Sequence, residues 1–304
     1  DLNNFKSLLV SAAIIFNKPK FKCKAGSIDF KNLILFGERG KKIYEELELV
    51  PLDFKSKFYK KEGHFVLKTM SNNKEIYTHF NASKLGFLSI AAHGHSDALS
   101  FTLNINGKPI IVDSGTYTYH SEPNWRKYFM GTLSHNTLRV DRDNQACISG
   151  PTMWSKHYKT KVLESFSSNK LDFIVATHDG YKTKGVNHSR KFSFDKQKLE
   201  IIVNDKIIIT DDKKHFLELP FHFHPKIKLE KGKNNFIAKL EDEVELEFEL
   251  DKFLENRLIM GSSEPILGWY SERFNRKVKC PVIYCSKITS DSINIQTKIK
   301  INII

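Results

Sequence analysis

The sequence predicts a mainly β protein, a large antiparallel β-sandwich with a short helical segment at its N-terminal end. Three observations point there. From about residue 51 onward, short apolar runs alternate with Gly, Asn, Asp and Pro turn signals. An Asn106-Gly107 pair lies between two such runs, a strong mark of a two-residue hairpin. Val244, Leu246, Phe248 and Leu250 alternate with Glu243, Glu245, Glu247 and Glu249, giving a strand with one buried and one wet face. Many short strands at this spacing indicate an antiparallel sandwich rather than a parallel sheet.

The elements follow in order. Phe5, Leu8, Leu9, Ala12, Ala13 and Phe16 recur at helical spacing, and Pro19 stops the pattern. A second short helix is expected over residues 30–36, ended by Gly37. Residues 1–50 therefore form a helical segment and 51–304 the β domain. Runs 99–105 and 109–113 are the arms of the Asn106-Gly107 hairpin, and 137–142 and 161–166 come next. Runs 171–177, 188–194, 199–203 and 206–210 continue the series, with Asp179-Gly180 and Asn204-Asp205 as turns.

Composition narrows the function classes. At 304 residues, with 40% hydrophobic and 27% charged, the chain buries a real core without disulfide staples and is neither disordered nor collagen-like. Cys23, Cys147, Cys280 and Cys285 are too few and scattered for a disulfide scaffold and read as free thiols. No run reaches the roughly 18–20 apolar residues of a membrane span. The formal net charge of +13 asks for an acidic partner: nucleic acid, anionic lipid or an anionic polymer. A nucleic-acid partner rests on charge alone, because no recognition helix or aromatic–basic motif accompanies it. The lysines at 18–24 and 182–184 read as solvated faces. The chain opens without Met or a charged-then-apolar leader, so a fragment lacking its N-terminal portion is expected.

The densest chemistry lies in His93-Gly94-His95-Ser96-Asp97, then Asp113-Ser114-Gly115-Thr116, then Ser134-His135-Asn136-Thr137. On extended chain the two histidines point to one side, and Gly94 lets backbone approach closely. Asp113 ends the hairpin's second arm and His135 precedes the next strand. Two imidazoles and a carboxylate gathered by a sheet would make a three-ligand zinc site with an open position; unrelated loop histidines are the alternative. The start of an HxHxDH hydrolase motif is present, but Ala98 stands where its final His belongs. His222 and His224 share one strand face, opposite Phe221 and Phe223, and read as satisfied or solvated rather than as a second metal site. Trp125, Trp154 and Trp269 could stack on sugar rings or pack in the core. Trp125 is the best placed, with Arg126 beside it.

The stretch 91–145 as a whole is more specific than any HxH pair. Its AHGHSDALSF strand, DSGTYTY turn, Arg126 and SHNTLRVD segment, in this order, resemble the C-terminal β domain of the heparinase II/III-like polysaccharide lyases. Later pieces agree: HDGY at 178–181, HSRKF at 188–192, LPFHFHP at 219–225 and GWYS at 268–271. The resemblance implies that the opening helices are the end of an α/α toroid. It implies that His95, Asp113 and His135 hold zinc as a structural or cleft-organising ion. It places His93 facing the cleft as a catalytic residue, with a supporting role behind the zinc as the bland alternative. Tyr119 and Arg126 are implied as substrate contacts. The implied reaction is β-elimination on an acidic, uronic-acid-containing polysaccharide, with a non-catalytic carbohydrate-binding or scaffold domain as the alternative. The family's catalytic tyrosine and its Asn or His companion belong to the toroid and match no position here, so this stretch by itself is expected to be weakly active or inactive. Such proteins are usually secreted or periplasmic; the glycan, the mode of attack and the oligomeric state are not legible.

Overall fold

The computed structural model describes residues 4–50, 54–232, 235–241 and 243–304. The chain divides into two compact units, the first ending at Phe54 and the second beginning at Lys55.

The first unit is helical. Helix α1 (Asn4–Phe16) buries Val10, Ala13 and Ile14. Pro19 ends that pattern as expected but also opens a second helix, α2 (Pro19–Ala25), because proline at the first helical position lacks only an N–H that would be unpaired anyway. Helix α3 (Phe30–Glu46) is capped by Asp29, whose carboxylate accepts from the Asn32 N–H at 3.1 Å. Gly37 breaks the helical geometry (φ 58°, ψ −162°), yet the chain resumes its helix beyond it, so the expected stop at 37 is a kink. Val10, Ala13, Ile14, Ala25, Tyr44 and Leu47 close a core of their own.

The second unit is a β-sandwich. One layer is an eight-stranded antiparallel sheet. Its spatial order is Lys228–Lys231, Asn235–Leu240, Val244–Leu250, Ile293–Ile303, Glu200–Ile209, Val186–Asp195, Leu171–His178 and Thr160–Ser167. Opposite lie a five-stranded sheet and a four-stranded sheet. The five-stranded sheet runs Lys57–Tyr59, His64–Ser71, Lys74–Asn81, Phe101–Ile105, Lys108–Ile111. The four-stranded sheet runs Glu255–Met260, Pro281–Thr289, His215–His222, Arg139–Val140. An antiparallel bridge between Ile111 and Phe223 joins these two edge to edge. Aromatic rings tie the layers together: Phe192 lies 5.5 Å from Phe80 and 5.0 Å from Phe101, and Phe248 lies 5.9 Å from Phe221 and 5.2 Å from Phe223.

The alternation at 244–250 is realised, with Val244, Leu246 and Phe248 buried. Asn106 and Gly107 both take positive φ (50° and 74°), as a tight hairpin turn requires. Three local readings change. Asn204-Asp205 is no turn: Glu200–Ile209 runs straight through it, because Asp205 points inward to a buried arginine and histidine. The 137–142 run shortens to Arg139–Val140, as Asp141 and Arg142 turn with φ of 53° and 61°. A helix absent from the sequence reading, α3's successor α4 (Pro123–Met130), follows the DSGTYTY turn with proline at its start.

Candidate active site

The three chemistry-bearing segments meet where the five-stranded and four-stranded sheets join. Asp113 follows the strand Lys108–Ile111, and its Oδ1 accepts from the Gly115 N–H at 2.9 Å, which fixes the carboxylate at the turn. His135 leaves the single turn Thr132–Ser134 and is fully buried. Its Nδ1 lies 2.6 Å from Asp113 Oδ2. The His95 ring lies 5.3 Å from the His135 ring. One ligand atom from each of His95, Asp113 and His135 falls within 4.8 Å of the others, a spacing that suits one metal ion.

The electrostatics fit that set. Burial pushes His95 down to about 3, reinforced by the neighbouring His135, so its imidazole is neutral and available as a ligand. Burial opposes charge on Asp113, but His135 and then His95 outweigh it and hold the carboxyl well below its usual range. The same pairing lifts His135 against burial. His135 Nε2 is buried with no hydrogen-bond partner among the described residues, a polar atom that a cation would satisfy. Two imidazoles and one carboxylate are the donor set of zinc with an open position.

Packing behind the site is dense and polar. Gly94 runs so close to Gly86 that a Cβ would come within 2.8 Å of the Gly86 nitrogen, confirming the close backbone approach. The buried Trp154 donates from Nε1 to the Gly94 carbonyl at 3.0 Å. Asn136 staples the strands: its Nδ2 donates to the Phe101 and Val112 carbonyls, and its Oδ1 accepts from the His222 N–H at 2.7 Å. Arg190, fully buried, donates from Nη1 to the carbonyls of Leu99 and Asn136 and from Nε and Nη2 to Asp205. Sequence reading missed Asn136, Arg190 and Asp205; the SHNT and HSRKF segments were visible, but no pattern shows what their side chains hold.

His93 departs from the extended chain expected of it. It takes φ 58°, so it does not point with His95, and it stands exposed outside the three-residue cluster. Positive φ on a non-glycine residue is backbone strain of the kind found at functional sites. Its Nδ1 lies 3.2 Å from the Tyr119 hydroxyl. Arg126 lies beneath the Tyr119 ring, with its guanidinium carbon 4.7 Å from the ring centre. His93, Tyr119 and Arg126 thus form one contiguous group. Trp125 is not brought to it. It packs against Tyr117, Phe129 and Trp269 in a smaller core, with Lys277 Nζ 4.4 Å above its ring. His222 is fully buried rather than solvated, and its Nε2 lacks a partner among the described residues. Burial, then His135, push it down to about 3.

Residues 54–297 match the family model described as heparinase II/III-like, C-terminal. The chain belongs to the heparinase II/III-like family. Within this family, a 164-residue stretch is 25% identical to a heparin-sulfate lyase of Bacteroides thetaiotaomicron, covering 50% of this chain and 21% of that protein. The fold is shared with heparan sulfate lyase HepC of Pedobacter heparinus, at a TM-score of 0.75 and 18% identity over 100% of this chain and 42% of that one. A heparinase III structure gives a TM-score of 0.73 at 15% identity, over 99% of this chain and 42% of that one. The chain spans less than half the length of these heparinase-like relatives.

Proposed function

We propose that this chain is the β-sandwich part of a polysaccharide lyase that cleaves an acidic, uronic-acid-containing glycan by β-elimination. In this reading His95, Asp113 and His135 hold a zinc ion and His93 acts on the reacting sugar. The observation that carries it is the convergence of His95, Asp113 and His135 within 4.8 Å, in a chain of the heparinase II/III-like family. Bound zinc would supply fixed positive charge that organises the cleft wall.

β-Elimination removes the weakly acidic proton at C5 of a uronate and breaks the C4–O bond, the leaving oxygen taking up a proton to become a hydroxyl, so the adjoining carboxylate has to be neutralised as charge develops. The exposed His93 suits either task, depending on its tautomer. If Nδ1 accepts from the Tyr119 hydroxyl, Nε2 carries the proton and donates to the carboxylate. If Nδ1 donates to the Tyr119 oxygen, Nε2 is free to take the C5 proton. In both cases Tyr119 orients the ring through the 3.2 Å contact.

The test has two parts. The longer protein that contains this chain is assayed on uronate polymers for the ultraviolet absorbance of an unsaturated sugar end. Absence of product from every uronate polymer, with intact folding, sinks the lyase reading and favours a carbohydrate-binding domain. For the metal, elemental analysis compares wild type with His95→Ala and His135→Ala; full zinc in both variants removes the ligand assignment.

A further inference from the structure

Among the described residues Arg126 has no counter-charge within salt-bridge distance. Only 2% of it is exposed, and its Nε donates to the Pro151 carbonyl at 2.6 Å. Its Nη1 and Nη2 are buried and have no hydrogen-bond partner among the described residues. A guanidinium stays charged at any ordinary pH, so burying its two terminal nitrogens unpaired is expensive unless something else supplies an anion. The Tyr119 ring face offsets only part of the lost hydration.

The surroundings point to what is missing. Arg126 lines a cavity of about 390 Å³ with Tyr119, His120, Lys127, Ser149 and Pro151. Among the described residues no carboxylate lines it, while Lys127 and Arg126 do, so the cavity favours an anion. Tyr119 forms part of its wall: it is partly exposed, and besides Arg126 its ring meets the exposed side chains of His93, His120 and Phe274. The two Nη donors form the fork that pairs with a planar carboxylate or with two oxygens of a sulfate.

We propose that Arg126 is the floor of an oxyanion subsite, flanked by Tyr119, which binds a carboxylate or sulfate substituent of a saccharide through Nη1 and Nη2. This deepens the acidic-glycan reading and rests on it for the saccharide, but the recognition of charge follows from Arg126 itself. A subsite one ring contact away from His93 would select for substrates that carry the anionic group at a fixed distance from the reacting sugar.

The experiment is binding to this chain, at constant ionic strength, followed by calorimetry and by the ¹⁵N signals of the arginine side chains. The probes are sodium glucuronate, inorganic sulfate, and glucuronamide as the uncharged counterpart of glucuronate. Saturable movement of the Arg126 Nη signals by glucuronate or sulfate, with no movement by glucuronamide, is expected. The tighter of the two anions identifies the substituent as carboxylate or sulfate. Arg126→Met is expected to weaken that binding at least about tenfold, the scale of a lost charge-assisted pair. Its melting temperature in anion-free buffer stays equal or rises, since an unpaired buried charge has been removed. Tyr119→Ala keeps the preference for the charged probe, because the charge is read by Arg126. Equal binding of glucuronate and glucuronamide, unmoved Arg126 signals with both anions, or undiminished binding in Arg126→Met overturns the subsite. If Arg126→Met does not fold, the wild-type signals decide alone. No turnover is needed, so a failed elimination assay on the longer protein leaves this result standing, and failed binding here leaves elimination to its own assay.

Discussion

Asn136 touches four other stretches of chain through its side chain and backbone: Ser100–Phe101, Val112, His222 and Arg190. Truncation to alanine would leave the Phe101 and Val112 carbonyls and the His222 N–H short of a partner in the buried interior. Asn136→Ala is therefore expected to cost about 3–5 kcal/mol, read as a lower denaturation midpoint at unchanged slope. A loss below about 1 kcal/mol would mean that water replaces the side chain. At the exposed edge of the same site the expectation is kinetic. In the longer protein, His93→Ala should lower kcat/KM by about 10²–10⁴-fold, the range for removing a general acid–base group. Tyr119→Phe, which keeps the ring but not the hydroxyl, should lose less. Equal losses in the two variants would place the proton chemistry on Tyr119 instead.

The strands Val186–Asp195 and Glu200–Ile209 carry a buried polar line that runs from Arg190 and Asp205 through His188 to His178. Asp205 accepts from Arg190 at 2.7 and 3.0 Å, and His188 Nε2 lies 2.6 Å from Asp205 Oδ1. His188 Nδ1 then lies 3.2 Å from His178 Nε2, and His178 Nδ1 accepts from the Gly180 N–H. Burial holds both histidines below their ordinary 6.5, against the pull of Asp205 on His188. Burial opposes charge on Asp205, but Arg190 wins and brings its carboxyl down to about 2. The signs agree. Histidines kept neutral cost nothing above pH 6.5 and cost increasingly below it, because the unfolded chain takes up protons first. Asp205 adds stability above its unfolded 3.8, which is lost as pH falls towards about 2. His215, held between Asp141 and Asp211, has the opposite sign: its raised value adds stability in acid and loses it as pH rises. Melting temperature measured from pH 7 down to pH 4 should thus fall less steeply in His178→Gln than in wild type. Identical slopes would show that His178 is protonated to the same extent in both states.

At the scale of the molecule, among the described residues the buried members of one core cluster lie within residues 10–47, and those of the two others within residues 65–301. Residues 55–304 expressed alone are expected to unfold in one cooperative transition; a broad, sloping melt would show that the helical unit is needed to fold the sandwich. The fold class was legible in the sequence because alternation and turn chemistry are local: the Glu-interleaved run at 244–250 and the Asn106-Gly107 turn read the same in the chain and in the sandwich. The order of His95, Asp113 and His135 was legible too, since each lies in a segment with its own turn or motif. Where local signals competed with distant partners, local reading failed. Asn204-Asp205 has the composition of a turn, yet a buried guanidinium from the neighbouring strand makes it strand interior. His93 has the spacing of a partner to His95, yet a positive φ turns it away to Tyr119. The sequence by itself determined the β architecture, the family and the candidate ligands, because these are written in periodicity and motif. Only the tertiary structure decided which groups meet: the Asn136 staple, the Arg190–Asp205 anchor, the Arg126 Nη atoms left without a partner among the described residues and the separation of Trp125 from Tyr119 all depend on contacts between residues distant in the chain.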